Sequence, residues 1–468
     1  MTLPKITYGL DIWYTPPNKK PGQTKSSGSA GALRQFQKAQ RIASLAIIGA
    51  LRSTPNDFAD AHAGLLSMEY ALLKATHRAT IRMLTLPDTH PLHPIIEQTR
   101  NSPPKKHPSP IANLLRTFKL RKKKLEIIMP VAQCPPRPAK LNTKIASSRE
   151  ESIKQEKDDK ANFKVFSDGS GLNNDIGAAA ILYKKGRFTP LDRLKVFLGP
   201  SSKHNTFEAE AIGAVLATRL LSSCPDTIGK KVSLYIDNQA LIKSFNNPKA
   251  TSGQYLIRHF LLLANALGCN LEVRWISGHS KVRGNEKVDE LAKEAANGLS
   301  SEAIKLPHIL RDPLPLSASA TKQAFHRRLK NKWEESWEDS ERGKHFDAID
   351  EDFPFTGFRK RTNSLTRAQA SLMVQIRSGH IPLNCYLFKI NRADTELCQA
   401  CLDREDGQHC RETIKHFLFE CNTYDVEREK LIADISRSHL NLKDIMSDTD
   451  RMKALAHFIN KTGRFKNP

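Results

Sequence analysis

The stretch VFSDGSG, Val165 to Gly171, ends an apolar, β-rich run with an aspartate that is followed at once by glycine, serine and glycine. An Asp-Gly pair can simply turn a strand in solvent. It can also hold a carboxylate, Asp168, at the end of a buried strand, with small neighbours that let a large ligand approach. The stretch alone fits both interpretations, and the elements around it have to separate them.

The surrounding residues predict an α/β domain. The predicted strands lie in FKVFSDGSG, IGAAAILYKKG, RLKVFLG, KVSLYIDNQ and LEVRWISGH. The predicted helices include HNTFEAEAIGAVLATRLL and GNEKVDELAKEAANG. Strands that lead into helices imply parallel crossovers, so we expect a mixed five-stranded sheet with helices on both faces. Ligands bind outside the carboxyl ends of strands in such sheets, and we place Asp168 and Asp237 at such ends.

Four acidic residues lie in an ordered series of motifs: Asp168 in SDGSG, Glu210 in FEAEA, Asp237 in YIDNQAL and Asp289 in GNEKVDELA. This order, with a Gly-His pair ten positions before the last acid in SGHSKVRGNEKVDELAK, resembles type I ribonuclease H over residues 161–298. The resemblance implies a ribonuclease H-like fold and a phosphodiester hydrolase that cuts RNA paired with DNA. The alternative is four unrelated acids at turns and on helix surfaces.

The proposed chemistry explains why carboxylates are needed. Two divalent ions about 4 Å apart can supply a nucleophilic water, neutralise the phosphate and stabilise the leaving oxygen. Hard carboxylate oxygens favour Mg²⁺, with Mn²⁺ as a substitute. Four clustered acids repel one another unless cations are bound. We interpret Gly169 and Gly171 as leaving room for the phosphate backbone.

Neighbouring residues refine the site. Glu208 and Glu210 are two apart on a helix, so only one can join the cluster, and the resemblance selects Glu210. Glu286 and Asp289 share a helix face, and the resemblance makes Asp289 the metal ligand and leaves Glu286 as a charge at the helix N-terminus. In the family, a histidine at the position of His279 assists proton transfer or product release. A purely structural role for this histidine stays open.

Hybrid recognition is expected to rest on 2′-hydroxyl contacts and duplex shape. Many type I enzymes insert a basic handle after the third acid, whereas residues 240–268 contain only Lys243, Lys249 and Arg258. We therefore expect hybrid affinity to come from elsewhere, the basic first third of the chain included. The predicted substrate contacts are polar residues beside the acids, each equally compatible with a solvated surface role: Ser170, Asn205, Asn238 and Gln239.

The charge distribution favours a polyanionic partner. Residues 1–150 contain 24 basic and 8 acidic residues, which gives 24 − 8 = +16 of the formal net charge of +24. No signal peptide is recognised, and no apolar run reaches the roughly 18 residues of a membrane span. Nucleic acid is therefore a better partner than a membrane, and we expect an intracellular protein, nuclear or cytoplasmic. The densest basic run, Arg121 to Lys124, also fits a solvated face.

Composition predicts four regions: a helical basic region at 1–131, a linker at 132–160, the α/β domain at 161–298 and a helical C-terminal region at 299–468. The flank RIASLAIIGALRSTPNDFADAHAGLLSMEYALLKATHRATIRMLTLPDTHPLHP resembles the segment that joins reverse transcriptase to ribonuclease H in fungal non-LTR retrotransposon polyproteins. QIRSGHIPLNCYL, LCQACLD and ETIKHFLFEC resemble the region that follows it there. Because no Tyr-x-Asp-Asp polymerase motif occurs, we expect the downstream end of such a polyprotein, beginning at its own Met1.

The C-terminal region contains a candidate zinc site, Cys398-x2-Cys401-x14-His416-x4-Cys421. This donor set predicts a small α-rich, zinc-knuckle-like module, and His409 or Cys410 could replace one of the ligands. The alternative is ordinary buried thiols beside a helix.

Two functions are compatible with the whole sequence. One is an active ribonuclease H, and the other is a catalytically inactive retrotransposon remnant that only binds nucleic acid. The presence of all four acids favours the enzyme. A DNA-cutting integrase or resolvase of the same fold is disfavoured by the Gly-His loop and by Asp289 in the last helix.

Overall fold

The computed structural model describes residues 5–18, 27–103, 108–121, 123–133, 141–346, 349–350, 352–403 and 409–465 of the 468-residue chain. These residues divide into two compact units. The sheet unit contains the described residues of 9–15 and 74–327, and the helical unit contains those of 1–8, 16–73 and 328–468. No helix in the described ranges is long and apolar enough to cross a membrane.

In the described ranges, the helices that precede the sheet include α1 (Leu10–Trp13), α2 (Ala30–Ile48), α3 (Asn56–Ala63), α4 (Met68–Leu84), α5 (His93–Asn101) and α6 (Pro110–Thr117). Their ends follow local sequence signals. The α2 helix stops at Gly49, which adopts the left-handed conformation with a φ of 69°. The α6 helix begins after Ser109, whose side chain accepts a hydrogen bond from the Ala112 N–H. The α4 helix runs across the boundary between the two units.

The sheet unit is built on six strands: β1 (Asn142–Lys144), β2 (Phe163–Leu172), β3 (Asp175–Lys184), β4 (Asp192–Pro200), β5 (Lys231–Ile236) and β6 (Asn270–Trp275). Their order is β1-β6-β5-β2-β3-β4. Strands β1, β6, β5 and β2 are parallel, and β2, β3 and β4 are antiparallel. The mixed α/β architecture is therefore confirmed.

The predicted number of five strands was wrong because β1 was not recognised. It is a three-residue strand, NTK, that pairs with β6 inside the stretch 132–160 assigned to a linker. The same stretch also contains helix α7 (Arg149–Lys157), which begins after Ser148, whose side chain accepts a hydrogen bond from the Glu151 N–H. A strand of three polar residues has no alternation of apolar and polar positions. It can be recognised only from its pairing with β6.

Helices cover both faces of the sheet, as predicted. They are α8 (Thr206–Ser222), α9 (Gln239–Asn246), α10 (Gln254–Ala266) and α11 (Arg283–Ala296). Successive residues of a strand point to opposite faces. Val165 accordingly joins the core that contains Val215 of α8, and Phe166 joins the core that contains Val288 of α11. Burial on both faces explains why β3, whose sequence is DIGAAAILYK, is almost continuously apolar.

The later helices are α12 (Ala318–Glu338), α13 (Glu341–Phe346), α14 (Thr356–Thr362), α15 (Arg367–Ser378), α16 (Asn384–Lys389), α17 (Gln399–Leu402), α18 (Asp425–Ile435), α19 (Leu442–Ser447) and α20 (Thr449–Thr462). The α12 helix also runs across the boundary between the units. Phe58, Met373 and Phe458 belong to one apolar core of the helical unit. Cys398, Cys401 and Cys421 are buried in the same core.

Candidate active site

Asp168 and Asp237 lie side by side on neighbouring parallel strands. The ladder between β2 and β5 pairs Phe163–Ser167 with Val232–Ile236, and the two aspartates come directly after the last pair of this ladder. Asp237 directly follows β5, at the predicted position. Asp168 does not lie at a strand end, because β2 continues to Leu172 in an antiparallel hairpin with β3. The sheet therefore fixes Asp168 from both sides, and the end of the parallel ladder places it beside Asp237.

Helix α8 brings Glu210 to the two aspartates. Its N-cap, Asn205, accepts a hydrogen bond from the Glu208 N–H at 2.9 Å, and the Glu208 carboxylate accepts one from the Asn205 N–H at 3.0 Å. This capping box uses the fully buried Glu208 side chain in the first turn of the helix. The structure thus places Glu210, and not Glu208, with the aspartates.

Gly169 allows α8 to approach β2. A Cβ at Gly169 would lie 2.3 Å from the backbone nitrogen of Glu210, closer than non-bonded atoms can come. A Cβ at Gly171 would lie 3.2 Å from Cγ2 of Thr206. The interpretation of the two glycines as room for a phosphate backbone was wrong, because both face protein atoms. The missing Cβ of Gly169 instead brings Glu210 against the strand that carries Asp168.

The three carboxylates form a mutually repelling group. One oxygen each from Asp168, Glu210 and Asp237 lies within 4.8 Å of the others. Asp168 is 8 % exposed and Glu210 is 6 % exposed. Burial, followed by repulsion from Asp237 and Asp289, raises the pKa of Asp168 from 3.8 to about 7. Burial also raises the pKa of Asp237, and it raises the pKa of Glu210 well above its usual value. The group therefore tends to retain protons unless a cation neutralises it.

Asp289 lies beside this group, on α11. Its charge contributes to the raised pKa values of Asp168 and Asp237. One ligand atom of Asp289 also lies within 4.8 Å of ligand atoms from His279 and Glu286. The structure thus brings three of the four predicted acids into one group and places the fourth in an adjoining one.

His279 lies in the loop that precedes α11. Its side chain is exposed, and its backbone is left-handed, with a φ of 49°. Its carbonyl oxygen accepts a hydrogen bond from the Arg149 guanidinium of α7. Burial raises the pKa of Asp237, and interaction with His279 offsets a part of that rise. The role of His279 in proton transfer or product release stays a prediction.

Two residues that the sequence analysis did not single out contact the acids. Lys293 Nζ lies 2.7 Å from a carboxylate oxygen of Asp289, and the indole N–H of Trp275 donates to the Asp237 carbonyl at 2.9 Å. The Asp-x3-Lys spacing of a helical ion pair is a readable signal. The tryptophan contact depends on the pairing of β5 with β6, which sequence periodicity does not specify.

The donor set fits a divalent cation. Oε2 of Glu210 is buried and, among the described residues, has no hydrogen-bond partner. Such an orphaned polar atom is costly unless something binds it. Carboxylate oxygens are the ligands that Mg²⁺ and Mn²⁺ prefer. Asp168, Glu210 and Asp237 would hold such an ion, with Asp289 beside them.

Two of the four predicted substrate residues cap helices. Asn205 caps α8, and Asn238 caps α9 by accepting a hydrogen bond from the Leu241 N–H at 3.1 Å. Ser170 and Gln239 are half-buried, close in sequence to Asp168 and Asp237. The side-chain oxygens of both asparagines therefore already accept hydrogen bonds from backbone N–H groups. Contacts of any of the four residues with the hybrid stay predictions.

Four soft donors converge in the helical unit: Cys398, Cys401, His416 and Cys421. The Cys401 Sγ lies 3.6 Å from the Cys421 Sγ and 3.4 Å from the His416 Nε2, and the Cys398 and Cys421 sulfurs are 4.0 Å apart. Thiolates that sit 2.3 Å from a tetrahedral Zn²⁺ are about 3.8 Å from one another. The separations in this buried group therefore suit one zinc ion.

The alternative ligands do not join this group. His409 is exposed, and neither His409 nor Cys410 belongs to the set of atoms that lie within 4.8 Å of one another. Burial raises the pKa values of the Cys398 and Cys401 thiols and lowers the pKa of His416. Without a metal, both thiols and the imidazole are therefore held in their neutral forms.

Residues 160–297 match the family model described as RNase H. The chain carries a ribonuclease H domain. The matched residues contain β2 to β6 with α8 to α11, and hence all four acids and His279. Strand β1 lies outside the match, so the ribonuclease H domain is extended at its β6 edge by a neighbouring segment. A comparison with curated proteins finds no match.

Solved ribonuclease H structures are similar to the same part of the chain. The N-terminal RNase H domain of a Mycobacterium tuberculosis protein, fused to maltose-binding protein, is 16 % identical, with 30 % of this chain and 95 % of that chain covered and a TM-score of 0.25. LC11-RNase H1 in complex with an RNA/DNA hybrid is 16 % identical, with coverages of 29 % and 97 % and a TM-score of 0.25. RNase H1 from Halobacterium salinarum is 18 % identical, with coverages of 29 % and 98 % and a TM-score of 0.23.

Proposed function

We propose that this chain cleaves the RNA strand of RNA–DNA hybrids at Asp168, Glu210 and Asp237, with Asp289 completing the site. The convergence of three carboxylates with raised pKa values inside a ribonuclease H domain carries the proposal. When bound, two divalent ions, Mg²⁺ or Mn²⁺, would activate a water, neutralise the phosphate and stabilise the leaving oxygen.

The protein contributes rigid positioning of these oxygens. Asp168 and Asp237 are held by adjacent strands, and the close contact at Gly169 fixes Glu210 against them. Fixed carboxylates do not have to reorganise when the substrate binds, which is the condition for strong electrostatic catalysis. His279, exposed in its loop, would transfer a proton to the leaving oxygen or assist product release.

The test is to incubate the purified full chain with three end-labelled substrates, first with Mg²⁺ and then with a chelator. The substrates are an RNA–DNA hybrid, duplex RNA and duplex DNA. We expect cleavage of the RNA strand of the hybrid alone, and its loss with the chelator. Cleavage of duplex DNA would instead indicate a DNA-cutting nuclease of the same fold. Hybrid binding without cleavage in Mg²⁺ or Mn²⁺ would indicate the alternative, a catalytically inactive remnant that only binds nucleic acid.

We also propose that Cys398, Cys401, His416 and Cys421 hold a structural Zn²⁺. The separations of their sulfur and nitrogen atoms support this ligand set. Four protein ligands leave no open position for chemistry, so the ion would stabilise the fold locally. Elemental analysis of protein purified without chelators should find about one zinc per chain.

The sequences that flank the ribonuclease H domain support an origin in the downstream part of a fungal non-LTR retrotransposon polyprotein. We propose this origin on the basis of the two resembling segments, one on each side of residues 161–298. An enzyme of this origin would act inside the cell, in the nucleus or the cytoplasm, where RNA and DNA strands pair. Transcription of an element with the polymerase region directly upstream of this chain would support it.

A further inference from the structure

A row of cations runs along the part of α4 that belongs to the sheet unit. Lys74, Arg78 and Arg82 are spaced four residues apart, so they lie on one face of the helix with a rise of about 6 Å between successive residues. Like charges at this spacing destabilise a helix. Repulsion along the row therefore opposes its formation, and Asp11 offsets part of that repulsion at Arg82.

Helix α12 adds further basic groups to the same face. It packs against α4 through the ring of Phe325, which stacks on His77 at 3.9 Å, and Nε2 of His326 lies 3.3 Å from the Lys74 ammonium. One turn away, the half-buried Lys322 has a pKa that is lowered by burial and then by Arg78. The two helices thus bring cations together although repulsion opposes it.

We call Arg78, Arg82 and Lys322 the cationic cluster. Two carboxylates lie near it: Asp11, 3.4 Å from Arg82, and Glu126, whose charge raises the pKa of Lys322. Glu126 is 1 % exposed, and its pKa is itself raised by burial. Of these two acids only Asp11 is partly exposed, so the three cations outnumber the solvent-accessible acid that pairs with them.

Hydrogen bonds to Glu126 and Met129 attach α12, the helix that carries Lys322, to the ribonuclease H domain. The Glu126 carboxylate accepts from the N–H groups of Gly253 and Ala318, each at 2.7 Å. The Met129 N–H donates to the Gln254 side chain at 2.8 Å, and the Met129 carbonyl accepts from it at 2.9 Å. The Glu126 carboxylate thus bridges the first turn of α12 and the corner between α9 and α10, and the Met129 bonds hold the segment of Glu126 at that corner. That corner lies in residues 240–268, where no basic cluster occurs.

The cluster lies within reach of the acids. The Asn205 side chain donates to the Ser317 hydroxyl at 3.4 Å, so α12 begins beside the N-terminus of α8. Lys322 is five residues beyond Ser317, and Glu210 is five residues beyond Asn205, so their Cα atoms are at most about 25 Å apart. One turn of duplex is longer, at about 34 Å. A duplex at the acids can therefore reach both places at once.

We propose that Arg78, Arg82 and Lys322 bind phosphates of the hybrid whose RNA strand lies at the acid cluster. This inference rests on the proposed function and gives the hybrid a second attachment on the same unit. Phosphate oxygens would replace the unfavourable contacts between the cations, and the bound duplex would be recognised by its backbone rather than by its bases.

The test compares the wild-type full chain with the triple variant Arg78→Gln, Arg82→Gln, Lys322→Gln. Affinity for an 18-base-pair hybrid is measured by fluorescence anisotropy in EDTA, so that binding does not depend on cleavage. Three phosphate contacts contribute about 2.7 to the slope of log affinity against log salt. From 50 to 200 mM salt, the wild type should therefore lose about 40-fold more affinity than the variant.

The matched control carries Lys185→Gln, Arg187→Gln and Lys230→Gln, which also removes three positive charges. These exposed residues lie beside the ends of β3 and β5 that are farthest from the acids. The control should keep the wild-type salt slope. Equal slopes for all three proteins, or an equal reduction in both variants, would overturn the proposal.

Hybrid length gives a second readout. The separation of at most about 25 Å corresponds to at most about 7 base pairs. The 18-base-pair hybrid therefore spans both places, and the difference in affinity between the wild type and the triple variant should shrink as the hybrid is shortened below that span. With Mg²⁺, the variant should raise KM for the 18-base-pair hybrid and leave kcat unchanged. Binding through the cluster without any cleavage would refute the proposed function alone. Cleavage of the hybrid with no change in salt slope or KM would refute the cluster alone.

Discussion

Replacing Asp168 by asparagine should make the metal-free sheet unit more stable. The pKa of Asp168 is raised from 3.8 to about 7, so the folded state binds a proton more tightly than the unfolded state does. Between these two values, the free energy of unfolding falls as pH rises. The unfolded chain gives up the proton of Asp168 in this range, whereas the folded state has to keep it or bury a charge. Asparagine has nearly the same shape and carries no charge at any pH, so it removes this penalty.

The size of the effect follows from the pKa difference. Each pKa unit corresponds to 1.36 kcal/mol, so the shift to about 7 destabilises the wild type by about 4 kcal/mol at pH 8. At pH 5 the penalty is only about 2 kcal/mol, because the folded state is still protonated. Asp168→Asn should therefore raise the free energy of unfolding by these amounts, and its stability should depend less on pH than that of the wild type.

Hydrogen exchange of the β2 and β5 amides, followed by mass spectrometry in EDTA at pH 5 and pH 8, would report on the sheet unit alone. Asp192→Asn, at an exposed position that begins β4, is the matched control and should change stability by less than about 0.5 kcal/mol. Mg²⁺ should stabilise the wild type more at pH 8 than at pH 5, and it should stabilise Asp168→Asn far less. A variant no more stable than the wild type at pH 8 would refute the reasoning.

Three further predictions concern other positions. Asp237→Asn should lower hybrid cleavage by more than roughly 100-fold, the loss typical of residues that only support a metal ligand. Hybrid binding, measured by anisotropy, should be retained. Turnover near that of the wild type would show that the site is elsewhere. Cys401→Ser should lose the zinc in elemental analysis and increase hydrogen exchange near the cysteines without abolishing hybrid cleavage, and a retained zinc would exclude this ligand. Glu126→Ala should destabilise the sheet unit by about 3 kcal/mol or more in urea unfolding, because it leaves the Gly253 and Ala318 N–H groups buried without an acceptor; an unchanged midpoint would show that water replaces the carboxylate.

The sequence predicted those features that follow from local pattern and order. Alternating and continuous apolar runs identified β2 to β6, and one-sided apolar faces identified α8 and α11, because strand and helix periods are intrinsic to the backbone. The pairing of Asp168 with Asp237 was also predictable, because residues at corresponding ends of neighbouring parallel strands meet at one edge of the sheet. Glu210 was assigned to the same group by the resemblance to type I ribonuclease H.

The features that the sequence did not predict depend on tertiary partners. Strand β1 has no apolar pattern and exists through its pairing with β6. Gly169 was assigned to substrate approach, although the helix that it accommodates is forty residues away in sequence. Asn205 was interpreted as a substrate contact, but its Asn-x-x-Glu spacing was a readable capping signal. Glu126, within a basic run, would be expected at the surface, yet it is buried by donors more than a hundred residues away.

The sheet unit contains one group of acids and one group of cations. Each group brings like charges together and is therefore unfavourable without a ligand. Burial and then repulsion raise the pKa of Asp168 in the acid group, and burial and then Arg78 and Arg82 lower the pKa of Lys322 in the cationic cluster. The two groups could have neutralised each other if stability alone had determined their positions. They are instead kept apart by the first turn of α8 and the start of α12, which meet at Asn205 and Ser317. A divalent cation at the acids and a polyanion across both groups would relieve both penalties, and a metal-dependent nuclease with a duplex substrate brings both ligands together.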